Sequence, residues 1–207
     1  MKKTLILSTI ILLSAGFLFA SPSWIGVQGT GSYQQNTTTV LGVEQENTTT
    51  LAGLNIAGTV YPGEAPVGIG FQFGASKIFK ATNDSTELAW EDFPLTWNVA
   101  AMAKYRAGMT KLVALELGAG LMYERTSTTY DFGSYTSQTN LNTLSVLTAA
   151  DLIVHLSESL SLVGGVGVSF PITTKGTYED NIGISFEEEF DVKGFTFVGK
   201  VGVAFGF

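Results

Sequence analysis

Large apolar residues recur at every second position through eight stretches of this chain. The last is the plainest. Over residues 194–207, Phe195, Phe197, Val201, Val203, Phe205 and Phe207 fall on one side, and Thr196, Val198, Lys200, Gly202, Ala204 and Gly206 on the other. A period of two is the mark of a strand. The same alternation predicts strands over about 24–33, 51–61, 67–78, 95–105, 112–123, 144–156 and 160–170. Each is near the length, roughly 9–11 residues, with which a tilted strand crosses a bilayer.

The connections alternate in length. Residues 62–66, 107–110 and 157–159 read as tight turns, whereas 34–50, 80–94, 124–143 and 171–193 read as long polar links. Short turns at one end and long loops at the other are the pattern of an antiparallel up-and-down barrel in a bacterial outer membrane. An even strand count puts both termini at the short-turn end. A soluble barrel also alternates, but its outer face would carry many Lys and Glu. Here the second face holds Gly68, Gly70, Gln72 and Gly74, then Ala114, Glu116, Gly118 and Gly120. Small residues suit the crowded inside of an eight-stranded cylinder. The large apolar face is therefore assigned to lipid, with Val99, Leu117 and Val166 near mid-membrane. Aromatic residues at the strand ends, among them Trp24, Tyr61, Phe79, Tyr105, Tyr123 and Phe170, are assigned to the two membrane interfaces.

Composition narrows the class. Charged residues make up only 14%, and Gly is as frequent as 24 in 207. Lys2 and Lys3 followed by an apolar run from Leu5 to Phe19 read as an export signal ending at Ala20, which leaves 21–207 as one barrel domain. Without Lys2 and Lys3 the balance is 9 basic to 18 acidic residues. That balance excludes nucleic acid, whose phosphates demand Lys and Arg. No Cys occurs, so there is neither a disulfide frame nor thiol chemistry.

The signal segment, the alternating strands and the terminal Phe207 together resemble the small eight-stranded outer-membrane barrels, the group of outer-membrane proteins X and W and the barrel domain of outer-membrane protein A. The resemblance implies an outer-membrane location in a bacterium with two membranes, outer-membrane lipids as surroundings, and Phe207 with Phe205 as the signal read by the barrel-insertion machinery. It rests on architecture and on no internal motif.

Chemistry is sparse. The inward face carries Lys104, Glu116, Asp151 and Lys200, with the single His155 near the short-turn mouth; this predicts a charge network bracing a largely filled lumen. Some barrels of this size edit lipids with a His near the outer end, but His155 lies at the opposite end, so no enzyme is expected. No cofactor is implied, since the glycine runs lack a strand-to-helix context. Most acids fall in the long links, from Glu44 and Glu46 to Asp191. They suit an extracellular protein or a cation. Over 171–193 the alternation resumes on both sides of a turn at 179–181. That predicts a hairpin kinked near Lys193-Gly194, whose Tyr178, Phe186, Glu187, Glu188, Glu189 and Phe190 form a surface-binding blade. Function is expected to be structural or adhesive at the cell surface. The alternative is a narrow channel, or a cavity for a small or apolar ligand.

Overall fold

A computed structural model of the chain describes residues 23–40, 43–62, 65–84, 86–87, 94–108, 110, 112–131, 133 and 135–207. The export signal expected over 1–20 lies outside these residues. The described chain forms β1 (Trp24–Val40), β2 (Val43–Val60), β3 (Val67–Asn83), β4 (Thr86–Glu87), β5 (Leu95–Gly108), β6 (Val113–Asp131), β7 (Thr136–His155), β8 (Leu160–Asp180) and β9 (Ser185–Gly206). β4 is a two-residue ladder on the end of β3. The other eight strands pair antiparallel with their sequence neighbours, and β9 pairs with β1 to close the ring. This is the up-and-down barrel that the alternation implies.

Closure removes the sheet edges through the membrane-spanning part, so every ladder there is satisfied within the protein. That is the condition for crossing hydrocarbon. The ring is finished near the short turns, where the Phe207 amide donates to the Ser23 carbonyl at 3.0 Å and Gly206 to Ser159 at 2.9 Å. The outer face there is apolar all round: Val99, Leu117 and Val166 are 45, 47 and 47% exposed. A continuous apolar belt on the outside of a closed cylinder suits one solvent, a bilayer.

The strands run much further than the apolar pattern suggests, up to 21 residues in β8 and 22 in β9. Three of the four polar links are therefore ladder rather than loop. β1 pairs with β2 as far as Val40 and Val43, β6 with β7 as far as Asp131 and Thr136, and β8 with β9 as far as Glu179 and Ser185. The reason is chemical. These stretches are rich in Thr, as at Thr37, Thr38 and Thr39 or Thr48, Thr49 and Thr50. Thr is β-branched and favours extended backbone, yet it is polar on either face, so the hydrophobic period vanishes while the strand persists.

The kink expected near Gly194 takes a different form. β8 slips by one residue against β9 between Ser169 and Thr174, and against β7 at Leu144/Ser145. Gly194 lies opposite that slip with φ +152°, and a Cβ there would sit 2.0 Å from the Gln35 carbonyl oxygen. The inside–outside alternation of β9 nevertheless continues unbroken, and its pairing with β1 keeps one register throughout. The apolar side chains change face because the surroundings change, and β8 absorbs the irregularity.

Candidate functional site

The lumen is filled in its short-turn half. Trp24 and Tyr61, expected at the membrane interface, point inward instead and are 5 and 1% exposed. Trp24 packs with Ala57, Ala114, Ile153, Val163 and Ala204 in a dry cluster. Both rings carry a polar tip that lipid would leave unpaired, and the Trp24 indole finds a partner inside. Trp24 Nε1 donates to Glu116 Oε1 at 3.0 Å, and Thr59 Oγ1 donates to Oε2 at 3.1 Å. Arg106 completes the group, with Nη2 2.6 Å from Glu116 Oε1 and its guanidinium 4.4 Å above the Tyr61 ring centroid.

A second ion cluster lies beside the first. Asp151 is shared by two cations, Lys104 Nζ at 2.5 Å from Oδ2 and Lys200 Nζ at 2.7 Å from Oδ1. Glycines provide the room. A Cβ on Gly70 or Gly118 would come within 2.9 or 2.8 Å of the Lys104 side chain, and one on Gly165 within 2.2 Å of Asp151 Oδ1. The space left among these groups, Gln72 and Met102 is about 10 Å³. That is no more than one water needs.

Above this floor the barrel is hollow. A vestibule of about 530 Å³ opens away from the short turns. Its base includes Leu51, Ile78 and Met122, and its walls are largely Thr hydroxyls, with Thr96, Thr126, Thr143 and Thr174 among them. Glu124 faces into it and accepts from Gln34 Nε2 at 3.0 Å. At the rim Tyr178 stacks on Phe186, with centroids 5.0 Å apart. Tyr135 hydrogen-bonds Tyr178 and donates to Asp180 Oδ2 at 3.2 Å. The bond to Tyr178 foremost, then burial and the nearby acid, push the Tyr135 phenol up to about 12.

The β8–β9 hairpin rises beyond the end of β1. β9 pairs with β1 only as far as Asp191, so residues 185–190 have a partner on one side alone among the described residues. Asp180 Oδ1 accepts from the Ile182 and Ile184 amides at 3.1 and 2.8 Å, which shapes the tip. Ile182, Ile184 and Phe186 are more than half exposed there. The acids of the blade are divided between its faces. Glu188 lines the vestibule, whereas Glu187 pairs outward with Lys175 at 3.2 Å and Glu189 accepts from Thr173 at 3.0 Å. Among the described residues no group of three or more His, Asp or Glu is placed to hold a metal ion.

Of the lumen residues singled out from the sequence, Lys104, Asp151 and Lys200 meet directly, and Glu116 lies in the adjoining cluster. His155 does not join them. Its Nδ1 is 2.8 Å from Ser161 Oγ, and no ion pair links it to an acid among the described residues. It sits too close to the β7–β8 turn, one inward step below Ile153, for its ring to reach past that packed side chain. Arg106 was missed, although it is signalled by parity: it is the next inward position after Lys104. Phe205 and Phe207 lie on the outer face at the end of β9, 56 and 47% exposed.

Searches of sequence find no matching family model and no similar curated protein. Solved structures do match. A major outer membrane protein from Thermus thermophilus superposes with TM-score 0.58 at 16% identity, over 90% of this chain and 100% of that one. OprG from Pseudomonas aeruginosa gives 0.59 at 14%, over 91 and 97%. Neisserial surface protein A gives 0.55 at 15%, over 88 and 97%.

The fold is the outer-membrane β-barrel.

With that fold, the apolar belt suits a membrane, and the contrast of short turns with long hairpins is that of outer-membrane barrels, whose turns are periplasmic and loops extracellular. One expectation needs correction. The outer membrane protease OmpT from Escherichia coli is also among the similar structures, at 8% identity over 90 and 97% of the two chains with TM-score 0.45. Barrels of this kind include an enzyme, so the absence of catalysis does not follow from the architecture. At that distance the likeness assigns no activity to this chain.

Proposed function

We propose that the protein is a surface-binding barrel, which receives an extracellular partner at its outer end and holds its lumen shut. The carrying observation is the seal: an Asp151–Lys104–Lys200 cluster that leaves about 10 Å³ beneath a vestibule of about 530 Å³. Solute would have to break two buried ion pairs to pass. The hairpin above the vestibule suits protein contact. It has a backbone edge over residues 185–190 for strand addition and an apolar tip at Ile182 and Ile184. In this reading the lumen ions brace the wall, and Phe205 with Phe207 serves barrel insertion. A second reading has specific support: the vestibule is within the roughly 300–1,000 Å³ of small-molecule sites, and its floor is apolar. A small ligand seated there would be bound, not conducted.

Planar-bilayer recording on the refolded protein tests the seal. No resolved single-channel steps are expected, and steady steps in the wild type overturn it. Arrays of extracellular proteins and glycans test the binding role. Wild type should retain ligands that a variant with residues 180–188 replaced by a tight turn loses. Equal binding by both removes the hairpin from the function.

A further inference from the structure

The vestibule carries charge of one sign. Among the described residues that line it, Glu124 and Glu188 are charged, and none is Lys, Arg or His. Arg125, next to Glu124 in sequence, takes the opposite parity of β6 and is not part of the lining. The lower lumen is arranged differently. Its two carboxylates, Glu116 and Asp151, each meet a cation within 2.7 Å. An anionic ligand in the vestibule would face two carboxylates and no counter-charge.

Glu124 is the acid with unmet capacity. It lies on β6 and Gln34 on β1, four strands away in either direction round the ring, so the two face each other across the lumen. Gln34 Nε2 donates to Glu124 Oε1 at 3.0 Å, and Glu124 Oε2 has no partner among the described residues. Two Thr hydroxyls flank that oxygen's side chain. Thr126 is the next inward residue above it on β6, and Thr143 stands across from it in the β6–β7 ladder. Thr126 Oγ1 is 2.8 Å from Thr96 Oγ1, and Thr143 Oγ1 is 3.3 Å from Thr174 Oγ1. A hydroxyl has two acceptor lone pairs, so each can accept a further bond. Below Glu124 the next inward residue is Met122, and on the β2–β3 wall Leu51 and Ile78 pack together with Ala81.

A carboxylate oxygen between two hydroxyl acceptors matches a group with several N–H donors and a positive charge. A primary ammonium has three such donors. The apolar floor beside it matches a hydrocarbon body rather than a polyol. We propose, on the reading of the vestibule as a small-ligand site, that its ligand is a primary amine on a compact apolar body. The ammonium bonds Glu124 Oε2 and the neighbouring Thr hydroxyls, and the body rests on Leu51, Ile78 and Met122. Glu188, higher on the wall, adds a field that draws a cation inward. A metal ion is disfavoured as occupant, because among the described residues no three acids converge.

The test uses the refolded protein in uncharged detergent and three probes of one shape: 2-phenylethylamine, 2-phenylethanol and 3-phenylpropionate. Ligand-observed NMR titration reads binding, with empty micelles subtracted. The amine should saturate the protein. The alcohol should bind at least about tenfold more weakly, since it lacks the charge-assisted bond, and the carboxylate more weakly still. Glu124→Gln should lose about tenfold for the amine and leave the alcohol unchanged. Glu187→Gln, on the outward face of the same hairpin as Glu188, should bind the amine as wild type does. The heat-dependent gel shift reports that each variant is folded, and the three-probe comparison on wild type stands without any variant. Equal binding of amine and alcohol overturns the choice of ligand and leaves the vestibule as a site for apolar molecules. Unchanged amine binding by Glu124→Gln also overturns it, as does displacement of the amine by Ca²⁺. Saturation by none of the three probes removes the amine together with the small-ligand reading.

Discussion

The two halves of this barrel are built from the same strands and are inverted in character. In the membrane half, large apolar residues face out and charges face in. In the outer half, Thr, Lys and Glu face out, while Phe186, Phe190, Leu51 and Ile78 face the cavity. β9 passes from one half to the other without changing which parity points inward. The backbone ladder is thus indifferent to the exchange of solvents, and side-chain polarity alone marks the membrane boundary. The halves also differ in how they fill space. The lower uses glycines to admit long charged side chains and leaves about 10 Å³ among them. The upper uses Thr of nearly constant size and leaves a well.

The largest break in this comparison comes from the lower half. Asp151→Asn should cost about 3–5 kcal/mol, because it leaves Lys104 and Lys200 buried without a counter-charge. Urea unfolding of the refolded barrel measures it. Lys175→Met, in the exposed pair of the upper half, should cost about 0–1 kcal/mol. Similar losses for the two would show that water reaches the lower cluster.

The outward faces come next. Leu117→Arg should destabilise by about 2–4 kcal/mol as a charge at the lipid midplane. Gln138→Arg, outward on β7 in the upper half, should be within about 0.5 kcal/mol of wild type. A large penalty at Gln138 would raise the upper boundary of the membrane.

Smaller is the contribution of the rim. Phe186→Ala removes the stack on Tyr178 and should loosen the blade by about 0.5–1.5 kcal/mol. Amide exchange over residues 185–190 should quicken, while exchange over 196–204 in the lower half stays slow. Acceleration in both halves would make the barrel one cooperative unit.

The smallest effect is in pH. Tyr135 is held up to about 12 in the folded protein against a usual 10.0. A phenol raised on folding lends stability that is complete below its unfolded value and lost as pH climbs toward the folded one. The rim should therefore weaken between about pH 10 and 12. Ultraviolet titration of wild type against Tyr135→Phe should show one late-ionising phenol missing from the variant. Identical late titration would separate Tyr135 from the Tyr178 pair.

Much of the lower half was legible because lipid imposes a strict rule on one face. Every apolar residue assigned to lipid on β5 and β6 lies there. The aromatic rule failed at Trp24 and Tyr61, since their polar tips serve a buried carboxylate or sit beneath Arg106 as well as they serve a headgroup. Period alone does not distinguish the two uses. The upper half was legible only at the β8–β9 hairpin, where Phe186 and Phe190 keep an apolar rhythm. Elsewhere its strands hide behind Thr, and the vestibule they enclose depends on strand length that hydrophobicity does not report.

The glycines beside Lys104 have an evolutionary corollary. Gly70 and Gly118 are small because one lysine lies across both, so none of the three positions can drift alone. A larger residue at either glycine strands the lysine, and a shorter residue at 104 opens a void and leaves Asp151 with Lys200 alone. In an alignment of true relatives, positions 70, 104, 118 and 151 should therefore be inherited as a block. Lineages that lose the lysine should fill the glycines along the same branch.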